Sequence, residues 1–185
     1  MKRVLEIFRD GKTRKSYLTV PLRDGEQGNF QTLAEMSKIV NEDRTQPDLR
    51  IFVLREIVGD VAGHDFFGEL ESVFRFCRDS ITYRNDPFGV ERVADMWSTM
   101  YALNPNGPEG DCGIKSTFFA TCAALLGHRP FFVVIKQLPE MPNFNHVYCG
   151  VDVAGERRFY DPTPEDKPSG WESPAYEKKL YPIFT

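Results

Sequence analysis

Residues 108–126 read PEGDCGIKSTFFATCAALL, and this stretch decides how the rest of the chain is interpreted. The segment before it, residues 104–110, is dense in Asn, Pro and Gly, which interrupt regular structure. From Cys112 onward, apolar residues recur at helical spacing and stop before Gly127, so they predict a helix over residues 112–126. The sequence therefore places a thiol at the first turn of a helix.

A cysteine at this position is chemically useful only if its thiol can be deprotonated, because the thiolate is the nucleophile. The helix N-terminus carries a partial positive charge, and Asp111 is placed to cap it. Lys115 follows three residues later, near the same helix face. We expect these features, together with a nearby histidine, to lower the pKa of Cys112.

That histidine is predicted on a second hairpin, formed by residues 145–153 and 156–161 around an Ala-Gly turn. Alternation along a strand puts His146 and Tyr148 on one face and Cys149 on the other. Asp161 ends the partner strand within a couple of residues of His146. We therefore expect Asp161 to accept the imidazole N–H and orient the ring.

The remaining three cysteines fit structural positions better. Cys77 lies on the apolar stripe of a helix predicted over residues 65–79, and Cys122 lies on the apolar face of its own helix. Cys149 points away from His146. Since no Cys-x-x-Cys pair occurs, we expect free thiols, no metal site and no cofactor.

The other predicted elements are short. We expect an N-terminal hairpin (residues 3–8 and 16–21), a polar loop (23–29), helices (31–42 and 47–58), an extended segment (81–83), a short helix or irregular turn (90–101), a strand (131–135) and a Pro-rich tail.

Length and composition indicate an ordinary globular protein. The 185 residues predict a single domain, 1–185, with a hairpin and helices over 1–64, a core over 65–165 and a tail over 166–185. The formal net charge of −4 and the lack of a Lys/Arg stripe argue against a nucleic-acid partner.

Hydropathy gives expectations about location. No apolar run approaches the ~18 residues that a membrane span requires. The N-terminal residues do not follow the pattern of a secretory signal. We therefore expect a cytoplasmic protein without a membrane partner, and the sequence does not predict an oligomeric state.

Three motifs resemble those of a known family. GDC before a helix (110–112), HVY on a strand (146–148) and YDPT (160–163) together resemble the transglutaminase-like superfamily, which shares the papain-like cysteine-peptidase core. The resemblance covers roughly residues 65–165. ITY followed by NDP (81–87) is similar to the segment before the nucleophile in bacterial and phage members.

The resemblance implies an α+β fold in which a helix bearing the nucleophile packs on an antiparallel sheet. It also implies a catalytic triad of Cys112, His146 and Asp161 acting on a peptide or protein substrate. One departure concerns substrate preference: members often have acidic residues directly after the cysteine, whereas Gly113, Ile114 and Lys115 follow here.

The groups that would stabilise an oxyanion or line the cleft are less defined. The backbone N–H of Cys112 is one donor candidate, and side-chain candidates are Tyr83, Trp97, Asn104 and Asn106. Aromatic side chains that could line the cleft are Trp97, Phe144, Tyr148 and Trp171.

Three functions remain open at this point. The first is hydrolysis of an amide or peptide bond, which we favour over transfer to an amine because water competes by default. The second is a catalytically silent structural or assembly module of a phage particle, which would make the protein virion-associated. The third is acyl transfer from a thioester donor.

Overall fold

The elements of the chain alternate between helices and short strands. The structure is a computed structural model that describes residues 3–11, 14–101 and 106–184. In chain order the elements are β1 (Val4–Gly11), β2 (Arg14–Pro21), α1 (Gly25–Asp43), α2 (Pro47–Phe52), a π-helical turn (Val53–Ile57), α3 (Phe66–Ser80), β3 (Thr82–Tyr83), β4 (Val90–Ala94), α4 (Met96–Tyr101), β5 (Glu109–Gly110), α5 (Cys112–Leu125), β6 (Pro130–Lys136), β7 (His146–Val153), β8 (Glu156–Tyr160) and β9 (Glu177–Pro182).

Helix α5 forms the centre of the core. Every residue from Gly113 to Ala123 is buried, and these include the polar residues Lys115, Ser116, Thr117 and Thr121. Helices α1 and α3 pack on it, and strand β7 packs against another side. The helix predicted from the sequence is therefore the element around which the others assemble.

The larger sheet is antiparallel, with strand order β8-β7-β6-β9. One face turns Phe132, Val147 and Cys149 toward the main core, which includes α5. The opposite face holds a small separate cluster centred on Tyr148 and Val133. This arrangement confirms the predicted α+β class, with a helix that carries Cys112 packed on an antiparallel sheet.

A second sheet has the order β2-β1-β4. Its β1–β2 pair is the predicted N-terminal hairpin, in which Val4 pairs with Pro21 and Gly11 with Arg14. Strand β4 joins β1 in parallel, and a short parallel pair, β3 with β5, leads into α5. Parallel pairing needs a long connection, which here contains α1, α2 and α3.

Four local predictions were wrong. Residues 23–29 are not a polar loop, because α1 already begins at Gly25. Residues 90–101 form a strand and then a helix, since β4 is held by its pairing with β1. The helix predicted over 47–58 is a short α-helix followed by a π-helical turn. The tail contributes β9, which pairs with β6 at residues 177–182.

The state of the cysteines agrees with a further expectation. All four cysteines are free thiols, and Cys112 is the one that is not buried. Among the residues that the structure describes, none of the helices combines the length and the apolar character needed to cross a membrane.

Candidate active site

Cys112 is the first residue of α5, as the sequence predicts. Asp111 caps the helix: its Oδ1 accepts a hydrogen bond from the N–H of Ile114 at 3.0 Å. Gly110 precedes the cap and lies so close to Ile114 that a Cβ at position 110 would be 2.4 Å from the Ile114 Cγ2 atom. The start of the helix, and with it the thiol, is therefore fixed by a cap and by close packing.

Hydrogen bonds between α5 and β7 bring the start of the helix against the strand that begins with His146. The Ser116 hydroxyl, one turn after Cys112, donates to the carbonyl oxygen of Val147 at 3.0 Å. The Cys149 thiol donates to the carbonyl oxygen of Ser116 at 3.2 Å. The backbone N–H of Val147 in turn donates to the Cys112 sulfur. These bonds set the helix against the first residues of β7, where His146 lies.

His146 is held by Asp161. The imidazole Nε2 lies 2.7 Å from the Asp161 Oδ2, and Asp161 is 1% exposed. The carboxylate also accepts hydrogen bonds from the backbone N–H of Thr163 at 3.1 Å and the Ser173 hydroxyl at 3.3 Å. Since Nε2 is engaged by Asp161, Nδ1 is the imidazole nitrogen that this hydrogen bond leaves available.

The register of the hairpin explains why Asp161 meets His146. Cys149 pairs with Tyr160 across β7 and β8, so Asp161 lies one residue beyond the paired region, level with Tyr148. This is the cross-strand relationship expected from the sequence. Strand alternation is also confirmed, because Cys149 faces Ser116 of α5 while Tyr148 lies on the opposite face of the sheet.

Cys112 and His146 line the same cleft, which has a volume of about 430 Å³. One wall comes from α1 and the other from residues 141–145 before β7. Apolar side chains on these walls are Leu33, Met36, Val134, Met141 and Phe144. The cleft therefore offers an apolar surface next to the thiol and the imidazole.

The electrostatic setting of Cys112 differs from the sequence-based expectation. Burial raises the pKa of the Cys112 thiol well above its usual value, and the neighbouring Asp111 carboxylate raises it further. The N–H of Val147 opposes these effects by donating to the sulfur. The thiol is therefore neutral at rest, and a reaction at Cys112 requires a base.

Lys115 was expected to help lower the pKa of Cys112, but its ammonium is engaged elsewhere. Its ammonium is fully buried and donates to the carbonyl oxygens of Pro162 at 3.0 Å and Arg78 at 3.3 Å. Burial lowers the pKa of Lys115, while the negative charges of Glu165 and Asp161 act in the opposite direction. The side chain thus contacts the segment after Asp161 and the end of α3.

Three carboxyl groups cluster beside the thiol. Asp86, Glu91 and Asp111 each place one oxygen within 4.8 Å of the others. Burial, and next the charge of Asp111, raises the pKa of both Asp86 and Glu91 to about 7. Burial also raises the pKa of Asp111. Such oxygens are of a kind that can bind a cation, but the proximity of acidic groups does not by itself define a metal site.

Tyr83 is near the thiol. Burial raises the pKa of Tyr83 to about 12, and the next contributions come from Cys112 and Asp111. Its hydroxyl donates to the Asn85 side chain at 2.9 Å. Tyr83 pairs with Gly110, two residues before Cys112, but it does not line the cleft.

Other candidates are placed elsewhere. Trp97 packs against the rings of Phe52 and Tyr101, outside the cleft lining. Tyr148 is buried on the opposite face of the sheet, where its hydroxyl donates to Glu172 at 2.6 Å. Trp171 is likewise outside the lining, whereas Phe144 is part of it.

Of the two asparagines considered as oxyanion donors, only one lies among the described residues. Asn106 is exposed and does not line the cleft, and Asn104 lies outside the described residues. The chain around them connects α4 to β5.

Sequence reasoning missed the residues that α1 and β4 contribute to the cleft, chiefly Asn29, Thr32 and Glu91. The Asn29 side chain donates to the Phe144 carbonyl at 2.9 Å and so links the two walls. Residues 23–29 were interpreted as a loop and 90–101 as a helix or turn, so nothing in the local pattern placed these side chains near Cys112.

The structure defines an α+β protein with a cleft lined by a thiol and an imidazole, and the imidazole is hydrogen-bonded to a buried carboxylate. No protein-family model matches the chain, and none of the curated proteins matches it. Among solved structures it is similar to that of a "putative cysteine protease" from Cytophaga hutchinsonii, with 13% sequence identity and a TM-score of 0.45. The match covers 73% of this chain and 46% of that one, so this chain spans less than half of its neighbour's length.

Proposed function

We propose that the protein is a thiol-dependent hydrolase that cleaves an amide or peptide bond. The observation that carries this proposal is the Nε2–Oδ2 hydrogen bond of 2.7 Å between His146 and Asp161, made at the cleft that also contains Cys112. The bond leaves Nδ1 as the nitrogen that can act as a base toward the thiol.

The reaction would run in two halves. The Cys112 sulfur attacks the carbonyl carbon as the thiol proton passes to His146 Nδ1, and the carbonyl π electrons move to oxygen. When the tetrahedral intermediate collapses, the carbon–nitrogen bond breaks and His146 gives the proton to the leaving amine. Water then attacks the thioester, His146 takes a water proton, and the sulfur regains it as the acid leaves.

Backbone groups at the helix start are suited to the oxyanion. The backbone N–H of Cys112 belongs to the first turn of α5, where N–H groups have no partner within the helix. The Tyr83 hydroxyl already donates its hydrogen to Asn85 at 2.9 Å, so it is not assigned this role. We assign oxyanion stabilisation to the Cys112 N–H.

Solvent access favours hydrolysis over transfer. Arg3, Pro142 and Asn145 line the cleft and are exposed, so water reaches the walls that surround the thiol. Transfer to an amine requires that water be kept from the thioester. Peptide or protein substrates suit an open cleft with an apolar wall.

The base can be tested without knowledge of the substrate. The rate of iodoacetamide alkylation at Cys112 is measured by mass mapping between pH 5 and 9, in the wild type and in His146→Ala. Cys77, Cys122 and Cys149 are buried, so a higher rate at Cys112 than at these reports only exposure. Dependence on His146 reports activation.

We expect the wild type to reach its alkylation plateau at lower pH than His146→Ala, and the variant to behave as a half-buried thiol that has no base. Identical profiles in the two proteins would overturn the proposed role of His146. Cys112→Ala serves as the blank for the mapping.

Turnover is tested on a pooled peptide library, with products identified by mass spectrometry. Hydrolysis predicts free carboxylic acids that are absent from the Cys112→Ala reaction. Addition of hydroxylamine should divert part of the product to hydroxamic acid, because the thioester then reacts with the stronger nucleophile. If hydroxamic acid forms when hydroxylamine is present, but no carboxylic acid forms in parallel reactions without hydroxylamine, the result indicates transfer instead of hydrolysis.

One observation favours the second candidate, a catalytically silent module that keeps the same fold. Burial and the Asp111 charge hold the Cys112 thiol neutral, which is the opposite of an activated thiolate. A silent module predicts that His146→Ala leaves both alkylation and the biological phenotype unchanged, and that Cys112→Ala does so as well.

A further inference from the structure

We infer that Lys115 is a positioning residue for the reaction, which holds the Asp161 segment against the helix that carries the thiol. This inference rests on the proposed function. Lys115 does not line the cleft. Its role would be to fix the distances between His146, Asp161 and Cys112.

The ammonium of Lys115 joins three parts of the molecule. The residue lies on α5, three positions after Cys112, and its Nζ donates to the Pro162 carbonyl at 3.0 Å. Its second bond, at 3.3 Å, goes to the Arg78 carbonyl in the last turn of α3. Pro162 directly follows Asp161, so a single cation links the thiol helix to the carboxylate segment.

Burying this ammonium costs hydration free energy, so the groups around it must compensate for that loss. Lys115 is 0% exposed, and a buried charge is tolerated only when hydrogen bonds and opposite charges compensate for the lost hydration. The carbonyls at the end of α3 lack helical partners and form the negative end of the helix dipole. Asp161 contributes a further favourable charge.

Asp161 depends on this support because it lies beyond the last paired residue of the hairpin. The ladder between β7 and β8 ends at the Cys149–Tyr160 pair. After it, His146, the Thr163 N–H and the Ser173 hydroxyl hold the Asp161 carboxylate, and Lys115 holds the Pro162 carbonyl. Of these bonds, the one from Lys115 joins the segment directly to α5.

Chemistry at Cys112 is sensitive to this geometry. A displacement of about 1 Å in a catalytic group can reduce the rate roughly 100-fold. Loss of the Lys115 ammonium removes the link between α5 and residue 162 and leaves two carbonyl oxygens without their donor. His146 would then lose its fixed orientation toward the thiol.

A double-mutant cycle separates positioning from general stability. Cys112 alkylation by iodoacetamide is measured at pH 7 in the wild type, Lys115→Met, His146→Ala and the double variant. We expect Lys115→Met to lower the rate roughly tenfold in the wild-type background, since a modest displacement suffices. In the His146→Ala background we expect no further change, because Lys115 acts through His146.

Matched variants keep the test interpretable. Lys38→Met makes the same substitution at an exposed position of α1 and should leave the rate unchanged. Lys115→Gln keeps a hydrogen-bond donor, should restore part of the rate, and replaces Lys115→Met in the cycle if that variant does not fold. Thermal melts confirm that each variant is folded at the temperature of the assay.

The outcomes are distinguishable. Equal loss from Lys115→Met in both backgrounds, or no loss in either, overturns the positioning role while the proposed function stands. If His146→Ala itself leaves alkylation unchanged, the proposed function fails, and the positioning role fails with it.

Discussion

Asp161 accepts a hydrogen bond from His146 with 2.7 Å between Oδ2 and Nε2, and the carboxylate that does so is almost completely buried. The bond fixes which imidazole nitrogen faces the cleft. It also places a negative charge where an imidazolium would form during proton transfer from Cys112, which stabilises that charge. This pair is the part of the site on which the proposed chemistry depends most.

Replacing Asp161 tests that dependence. We expect Asp161→Ala to lower the alkylation rate of Cys112 at pH 7 roughly tenfold or more, because the ring loses both its orientation and its charge partner. Asp161→Asn keeps an oxygen that can accept the Nε2–H bond, so we expect a smaller loss. Asp152→Ala removes an exposed carboxylate paired with Arg157 and is the control. Equal rates in all four proteins would contradict the prediction.

Asp111 offers a way to raise the reactivity of the thiol. Its charge raises the pKa of Cys112, while its Oδ1 caps α5. Asp111→Asn keeps a cap and removes the charge, so we expect Cys112 alkylation at pH 8 to become roughly tenfold faster. Asp111→Ala also removes the cap and should cost about 1 kcal/mol in the free energy of unfolding. An unchanged rate in Asp111→Asn would show that burial alone sets the pKa.

The raised pKa of Glu91 predicts how the free energy of unfolding depends on pH. Its pKa is raised from 4.5 to about 7 in the folded state, so the folded protein holds this proton more tightly than the unfolded chain. The free energy of unfolding should therefore fall as pH rises from about 4.5 to 7, and the penalty is complete above 7.

Glu91→Gln removes that penalty. We expect it to raise the free energy of unfolding at pH 8 by roughly 1 kcal/mol after solvent screening, with less gain at pH 4.5. The long ion pair of Glu91 with Arg3, at 3.6 Å, is partly exposed and offsets little of this gain. Urea unfolding at both pH values provides the measurement, with the exposed Glu140→Gln as control. A variant that is less stable at pH 8 than the wild type would refute the prediction.

Gly110 tests how tightly the start of α5 is packed. A Cβ at this position would lie 2.4 Å from Cγ2 and 2.6 Å from Cβ of Ile114, so Gly110→Ala should cost roughly 1–3 kcal/mol in the free energy of unfolding. Gly63→Ala is the control, since nothing lies within 4 Å of its added Cβ. Ile114→Ala combined with Gly110→Ala should recover part of the specific loss. Equal stability of the two single glycine variants would rule out the clash.

Much of the fold follows from local patterns. The pairing of β1 with β2, the alternation along β7 and the helical spacing after Cys112 all involve residues close in the chain, and the corresponding elements were predicted. The elements that were missed depend on distant partners. Strand β4 is stabilised by pairing with β1, and β9 by pairing with β6, and neither partner is close in sequence.

The same distinction applies to the site. Strand alternation and hairpin register were enough to place Asp161 near His146, because the two residues belong to one hairpin. No local pattern could place Asp86 and Glu91 beside the thiol, because strand β4, which contains Glu91 and follows Asp86, was not recognised. The expectation of a lowered pKa at Cys112 failed for this reason and because the depth of burial depends on the whole fold.

By itself, the sequence determined which thiol lies at the start of a helix. It also determined which histidine and aspartate belong to one hairpin, whose register brings them together. Only the tertiary structure decided the charges around that thiol, the wall that α1 contributes to the cleft, and the carbonyl groups to which the Lys115 ammonium donates. The physical reason is range. Caps, periodicity and hairpin register act between residues close in the chain, whereas desolvation and the hydrogen bond from Lys115 to Pro162 arise only when distant segments pack together.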